Sequence, residues 1–123
     1  MKAEIKNLHS PDIDDLSKYS PYDRENFHFL LQLIAGPEGE KGAESFDIQV
    51  CTPKWLLDNH RMEDVIIGRH YLIMMEYNYK RMLQAIYTFC NRCESSTWTE
   101  VAEKLGRLGY WEFEDYQEYR GTP

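Results

Sequence analysis

The amino-acid sequence predicts an α+β fold, a mostly antiparallel sheet of about four to five strands with three helices packed on one face. Three observations carry this. Segments with a side-chain period of two dominate the first half of the chain. Segments with apolar spacings of three and four dominate the second half. Between them, residues 45–57 (SFDIQVCTPKWLL) pass from one period to the other without a break.

That middle unit is the best defined. Phe46, Ile48 and Val50 alternate with Asp47, Gln49 and Cys51, the pattern of a half-buried strand. Thr52 carries a hydroxyl able to cap a helix, and Pro53 suits the first helical position, where an N–H has no partner. The helix is expected to close near Asn59, with Trp55 and Leu56 dropping back onto the strand's apolar face. Upstream, residues 1–8 alternate weakly, Ala3 and Ile5 against Lys2, Glu4 and Lys6, as in an edge strand guarded by lysines. Residues 9–24, bracketed by Ser10-Pro11 and Ser20-Pro21, form a long acidic loop. A loop of that length is often functional when ordered, and a solvated connector is the alternative. Residues 26–35 (NFHFLLQLIA) are a strand with Phe27, Phe29, Leu31 and Leu33 on one face. Residues 36–42 (GPEGEKG) turn it into 45–51 as an antiparallel hairpin.

Residues 61–69 read as a connection in which Asp64 precedes Val65, Ile66, Ile67 and Gly68. Residues 69–77 (RHYLIMMEY) are apolar on both faces, the pattern of a strand in the middle of a sheet. Asn78 can start a helix whose stripe is Tyr79, Met82, Leu83, Ile86, Phe89, Cys90 and Cys93, with Lys80, Arg81, Gln84 and Arg92 facing out. Thr97 and Glu100 form a capping box. Trp98, Val101, Ala102, Leu105 and Leu108 line the helix that follows, and Gly109 is expected to end it in the left-handed conformation. Residues 110–119 (YWEFEDYQEY) are a last strand with Trp111 and Phe113 inward and Glu112, Glu114 and Tyr116 outward. Residues 121–123 are expected to be disordered.

A chain of this mass, 14.7 kDa, exposes roughly 7,000 Å² when folded against roughly 21,000 Å² unfolded. That burial suffices for one core, so residues 1–123 are expected to form a single domain. The net charge is −7, from 21 acids against 14 Lys and Arg. Nucleic-acid binders present a basic face, and this chain has none, so direct binding to DNA or RNA is not expected. An acidic surface suits a basic partner, because opposite fields speed encounter; the same charge also serves solubility alone. No stretch approaches the ~18 apolar residues of a membrane helix. No signal-peptide core precedes Asp12, Asp14 and Asp15, so the protein is expected in the cytoplasm and away from membranes. Three cysteines, Cys51, Cys90 and Cys93, make no disulfide framework, in keeping with a reducing compartment.

A search for chemistry returns little. There is no Gly-x-Ser-x-Gly elbow and no phosphate-loop glycine pattern, and Glu38 and Glu40 would repel a phosphate from GPEGEKG. Cys90 and Cys93 have ligand spacing but no second pair, so they read as reduced core thiols, and no metal or other cofactor is expected. His60 and His70 with Glu76 are the alternative, a small metal-dependent enzyme or binding domain. Carboxylates cluster instead with tyrosines. Asp12, Asp14 and Asp15 lie near Tyr19 and Tyr22; Glu112, Glu114, Asp115 and Glu118 lie among Tyr110, Tyr116 and Tyr119. Tyrosine gives contact area at low entropic cost and is enriched at protein interfaces. Acid with tyrosine, lacking catalytic spacing, predicts a face for a basic protein: Glu112, Glu114, Asp115, Tyr116, Glu118 and Tyr119, with Asp12, Asp14 and Asp15 as a second patch. A solvated face with aromatic packing beneath, or the interface of a housekeeping adaptor, would look the same.

Four blocks in order, MKAEIKNLHSPDI, GAESFDIQVCTPKWLL, GRHYLIMMEYNY and TWTEVAEKLGRLGYWEFEDY, resemble the immunity protein 8 family of bacterial polymorphic toxin systems. Together they span most of the chain. The resemblance implies a non-catalytic antidote encoded beside a toxin, often one with a C-terminal nuclease domain, and binding that domain in the cytoplasm. It brings over no catalytic residue, no cofactor and no contact set.

Overall fold

The computed structural model describes residues 1–115. Its elements follow the predicted order. They are strands β1 (Ala3–His9), β2 (His28–Pro37) and β3 (Glu44–Cys51), helix α1 (Pro53–Asn59), strand β4 (Tyr71–Ile73), helices α2 (Tyr79–Asn91) and α3 (Trp98–Leu105), and strand β5 (Tyr110–Trp111). The five strands make one open, mostly antiparallel sheet in the order β1-β2-β3-β4, with β5 also on β3, so the α+β class holds. Strand β3 is its centre. One side is taken by β2 from His28 to Ala35. The other is divided: β4 runs parallel against Gln49, Val50 and Cys51, and β5 antiparallel against Phe46 and Asp47. Strand β1 is an edge, as its lysines suggested, with a bulge between Ile5 and Asn7.

The period of two puts Phe29, Leu31 and Leu33 of β2 and Phe46, Ile48 and Val50 of β3 on one face, all fully buried. Helices α2 and α3 bring Met82, Ile86, Cys90, Val101 and Leu105 into the same cluster. Each large side chain so removed from water contributes about 1.5–3 kcal/mol, which makes this layer the main support of the fold. The caps are local. Thr52 Oγ1 accepts the Trp55 N–H at 3.3 Å and the Phe27 N–H at 3.2 Å, so one buried hydroxyl starts α1 and ties it to the entry of β2. Asn78 Oδ1 accepts the Arg81 N–H at 3.0 Å. All three cysteines are free and buried, and desolvation pushes the Cys90 thiol up to about 12. Among the described residues no helix is long and apolar enough to cross a membrane.

Five local expectations are corrected. The stretch 69–77 is not a central strand: only Tyr71–Ile73 pairs, at an edge, and Ile73 and Met75 are exposed. After the Met74 N–H bonds Cys51 O the chain leaves the sheet, and the Tyr77 N–H bonds Arg24 O. Apolar residues on both faces fit a covered central strand or an edge strand with one bare face, and periodicity does not separate them. Trp55 does not return to the apolar face. It stacks on His28, centroids 4.3 Å apart, and His28, next to Phe29 along the strand, points to the other face. The capping box is half made: Thr97 Oγ1 accepts the Glu100 N–H at 3.3 Å, but the Glu100 carboxylate takes the Ser95 and Ser96 hydroxyls. Gly109 is not a left-handed cap. Helix α3 ends earlier, at Gly106 in right-handed geometry. Gly109 is needed for space, since a Cβ there would sit 3.0 Å from Phe46 Cβ and Ile48 Cγ1. Finally, the last strand stops at Trp111, a turn follows through Asp115, and Phe113 is exposed rather than inward. Tyr116, Glu118, Tyr119 and residues 121–123 lie outside the described residues.

Candidate functional site

Gly109 lets the chain after α3 lie directly on β3, and this sets the acidic turn. Trp111 stacks on Phe46 with centroids 6.4 Å apart, and its Nε1 donates to Glu44 Oε2 at 2.5 Å. Glu112 extends the pairing: its N–H donates to Ser45 O at 3.1 Å, and its Oε1 accepts the Ser45 N–H at 2.9 Å. Glu114 turns back, contrary to its expected outward position. Arg69 grips its carboxylate with Nη1 at 2.9 Å and Nη2 at 2.7 Å, and His70 Nε2 lies 3.7 Å away. Arg69 Nη2 and His70 Nε2 also donate to Gly106 O, at 3.3 and 2.8 Å. Asp115 is exposed, in the left-handed region that Asp tolerates. A depression of about 420 Å³ beside this turn is lined by Glu44, Glu112, Trp98 and Phe113, with Pro37 and Lys41. Carboxylates and aromatic faces of that kind suit a basic side chain.

The second predicted patch attaches elsewhere. Asp12 Oδ2 accepts the Leu30 N–H at 2.9 Å, capping β2 beyond its last pairing with β1 at Gln32. Asp15 closes a turn by accepting the Ser17 N–H and hydroxyl at 2.9 and 2.6 Å, and these bonds hold its carboxyl below the usual range. Asp14 is exposed. The long loop carrying them is ordered, with Leu16 buried and its carbonyl accepting the Tyr77 hydroxyl at 3.1 Å. Tyr19 packs edge-on against Phe29 and Tyr77, whereas Tyr22 is fully exposed.

The residues of the metal alternative do not converge. His60 Nδ1 donates to Leu56 O at 2.8 Å, closing the end of α1, and His70 is held at Gly106. No group of three His, Cys, Asp or Glu suited to a metal ion occurs among the described residues.

What the sequence reading passed over is the connection itself. Residues 61–69 are exposed without interruption, with Met62 98 %, Val65 92 %, Ile66 40 % and Ile67 86 % accessible. The loop's ends are pinned. The Arg61 N–H bonds Asp64 Oδ2 at 2.8 Å and the Asp64 N–H returns to Arg61 O at 3.0 Å. At the other end the Tyr71 N–H reaches Gly68 O at 3.4 Å, and Arg69 is clamped to Glu114. Burying each Val or Ile side chain is worth about 1.5–3 kcal/mol, and here folding leaves that free energy unused. A signal was present: three consecutive β-branched residues strongly favour a strand, yet no amphipathic partner pattern accompanies them.

A family model described as Immunity protein 8 matches residues 3–116. Neither the curated proteins nor the solved structures yield a match.

Proposed function

The chain belongs to the immunity protein 8 family, and from that premise we propose that it neutralises a cognate polymorphic or contact-dependent toxin domain by one-to-one occlusion, performing no reaction of its own. Membership implies an immunity protein directed at a toxin. The finer reading rests on charge. A net charge of −7 and an acid- and ring-lined depression at Glu44, Glu112, Trp98 and Phe113 suit a basic surface. A nuclease is one toxin class that would carry such a surface, since its cleft has to hold phosphates. The partner would be the toxin's C-terminal domain, met in the cytoplasm.

The proposed contact set is Glu112, Glu114 and Asp115 with Tyr116, Glu118 and Tyr119, and then Asp12, Asp14 and Asp15. Within it, Glu112 and Asp115 are exposed, whereas Glu114 supports the turn from inside. Co-expression with the toxin domain encoded beside this gene tests the proposal. A stable equimolar complex is expected, with protection ending where toxin exceeds antidote. Protection by a small fraction of an equivalent would mean turnover and would sink it.

A further inference from the structure

We propose that the loop at 61–69 is the apolar anchor of the toxin interface, with Val65 and Ile67 inserting into an apolar depression on the toxin domain that is flanked by basic side chains. This rests on the immunity reading and names the surface that reading lacks. Three observations carry it. Met62, Val65 and Ile67 are almost wholly in water and lie within one loop, whereas Leu57 and Met75, the other strongly exposed aliphatic side chains, stand on separate segments. Soluble proteins keep such contiguous apolar exposure for contacts. The loop is held at both ends, by the Arg61–Asp64 turn and by the Arg69 clamp on Glu114, so its ends need no ordering on binding. The clamp also ties the loop's end to the acidic turn, so the apolar tip lies between Glu63 and Asp64, paired with Arg61, and Glu114, paired with Arg69, with Asp115 beside it, four carboxylates against two guanidinium groups.

That arrangement selects the occupant. A second copy would bring together two rims that each hold more carboxylates than guanidinium groups, on chains of net charge −7, and like charges oppose that contact. A basic toxin domain meets attraction at the rim and burial at the centre, the division of labour expected where anchors govern dissociation and rim charges govern encounter.

The test compares the wild-type protein, Val65→Ser/Ile67→Ser and the control Leu57→Ser, whose side chain is exposed on α1. The probe is the catalytically inactivated toxin domain encoded by the adjacent gene, with association and dissociation rates measured separately. Melting curves confirm that all three fold. The double variant should associate at an unchanged rate and dissociate at least roughly tenfold faster, while the control matches wild type. If wild type binds and the double variant dissociates no faster, the anchor assignment is overturned and the immunity reading stands. If wild type fails to bind the domain, both fall together. If sedimentation shows a wild-type dimer that the double variant dissolves, the loop serves a second copy and the toxin assignment is overturned.

Discussion

The acidic turn at 112–115 and the loop at 61–69 meet at one ion pair, yet their side chains are used in opposite ways. In the turn, groups that look suited to a partner are held by the chain itself: Glu114 by both arms of Arg69, and one oxygen of the still exposed Glu112 by Ser45. In the loop, groups that look suited to a core are left in water. Charge at the surface is therefore a poor guide to what is available, because a carboxylate accepts several hydrogen bonds and readily becomes structural. An aliphatic side chain has no such second use. Its exposure is a cost that another surface can remove.

The largest effect is expected at Gly109→Ala, which drives a methyl group against Phe46 and Ile48 under the turn. It should cost about 1–3 kcal/mol and loosen β5, read from the urea midpoint and from hydrogen exchange at Tyr110 and Trp111. An unchanged midpoint would mean the turn is not seated on β3 as described. Next, Glu114→Ala should cost about 1–2 kcal/mol, held down because Arg69 is half in solvent, while Asp115→Ala stays within about 0.5 kcal/mol. Equal effects at the two positions would erase the distinction between supporting and available carboxylates.

Sulfur chemistry gives a third comparison. Met62 should be oxidised readily by peroxide in the folded protein, whereas Cys90 should resist alkylation until unfolding, as mass spectrometry of each peptide would show. The Cys90 thiol and the Tyr77 phenol are both pushed up to about 12, mainly by desolvation. The folded state then keeps protons that the unfolded chain releases sooner. Their contribution to stability is complete below the ordinary thiol and phenol range and is lost as pH rises toward about 12. Denaturant midpoints should fall across that alkaline window, and Cys90→Ala should flatten part of the fall. The smallest effect is expected at Val65→Ser/Ile67→Ser, within about 0.5 kcal/mol of wild-type stability. A larger loss would show that the loop packs on something and would weaken its assignment as an anchor.

Much of this was legible in the residues. Phe46, Ile48 and Val50 announce their strand, Thr52-Pro53 and Asn78 announce helix starts, and the stripe through Met82, Ile86 and Cys90 announces its buried face, because each signal is local. Gly109 was read for its conformational freedom when the structure needs its missing Cβ, a requirement set by Phe46 and Ile48 far away in the chain. Glu114 was read as outward because its partner, Arg69, is 45 residues distant.

The chain's order of strands and helices, its family and its acidic character were thus decided by residues acting on near neighbours and by their sum. Which edge β4 occupies, which carboxylates remain available and why Val65 and Ile67 stand in water were decided only when β3 gathered β2, β4 and β5 around itself. Periodicity reports the side a residue faces. Whether anything covers that side depends on contacts between segments that the local pattern does not encode.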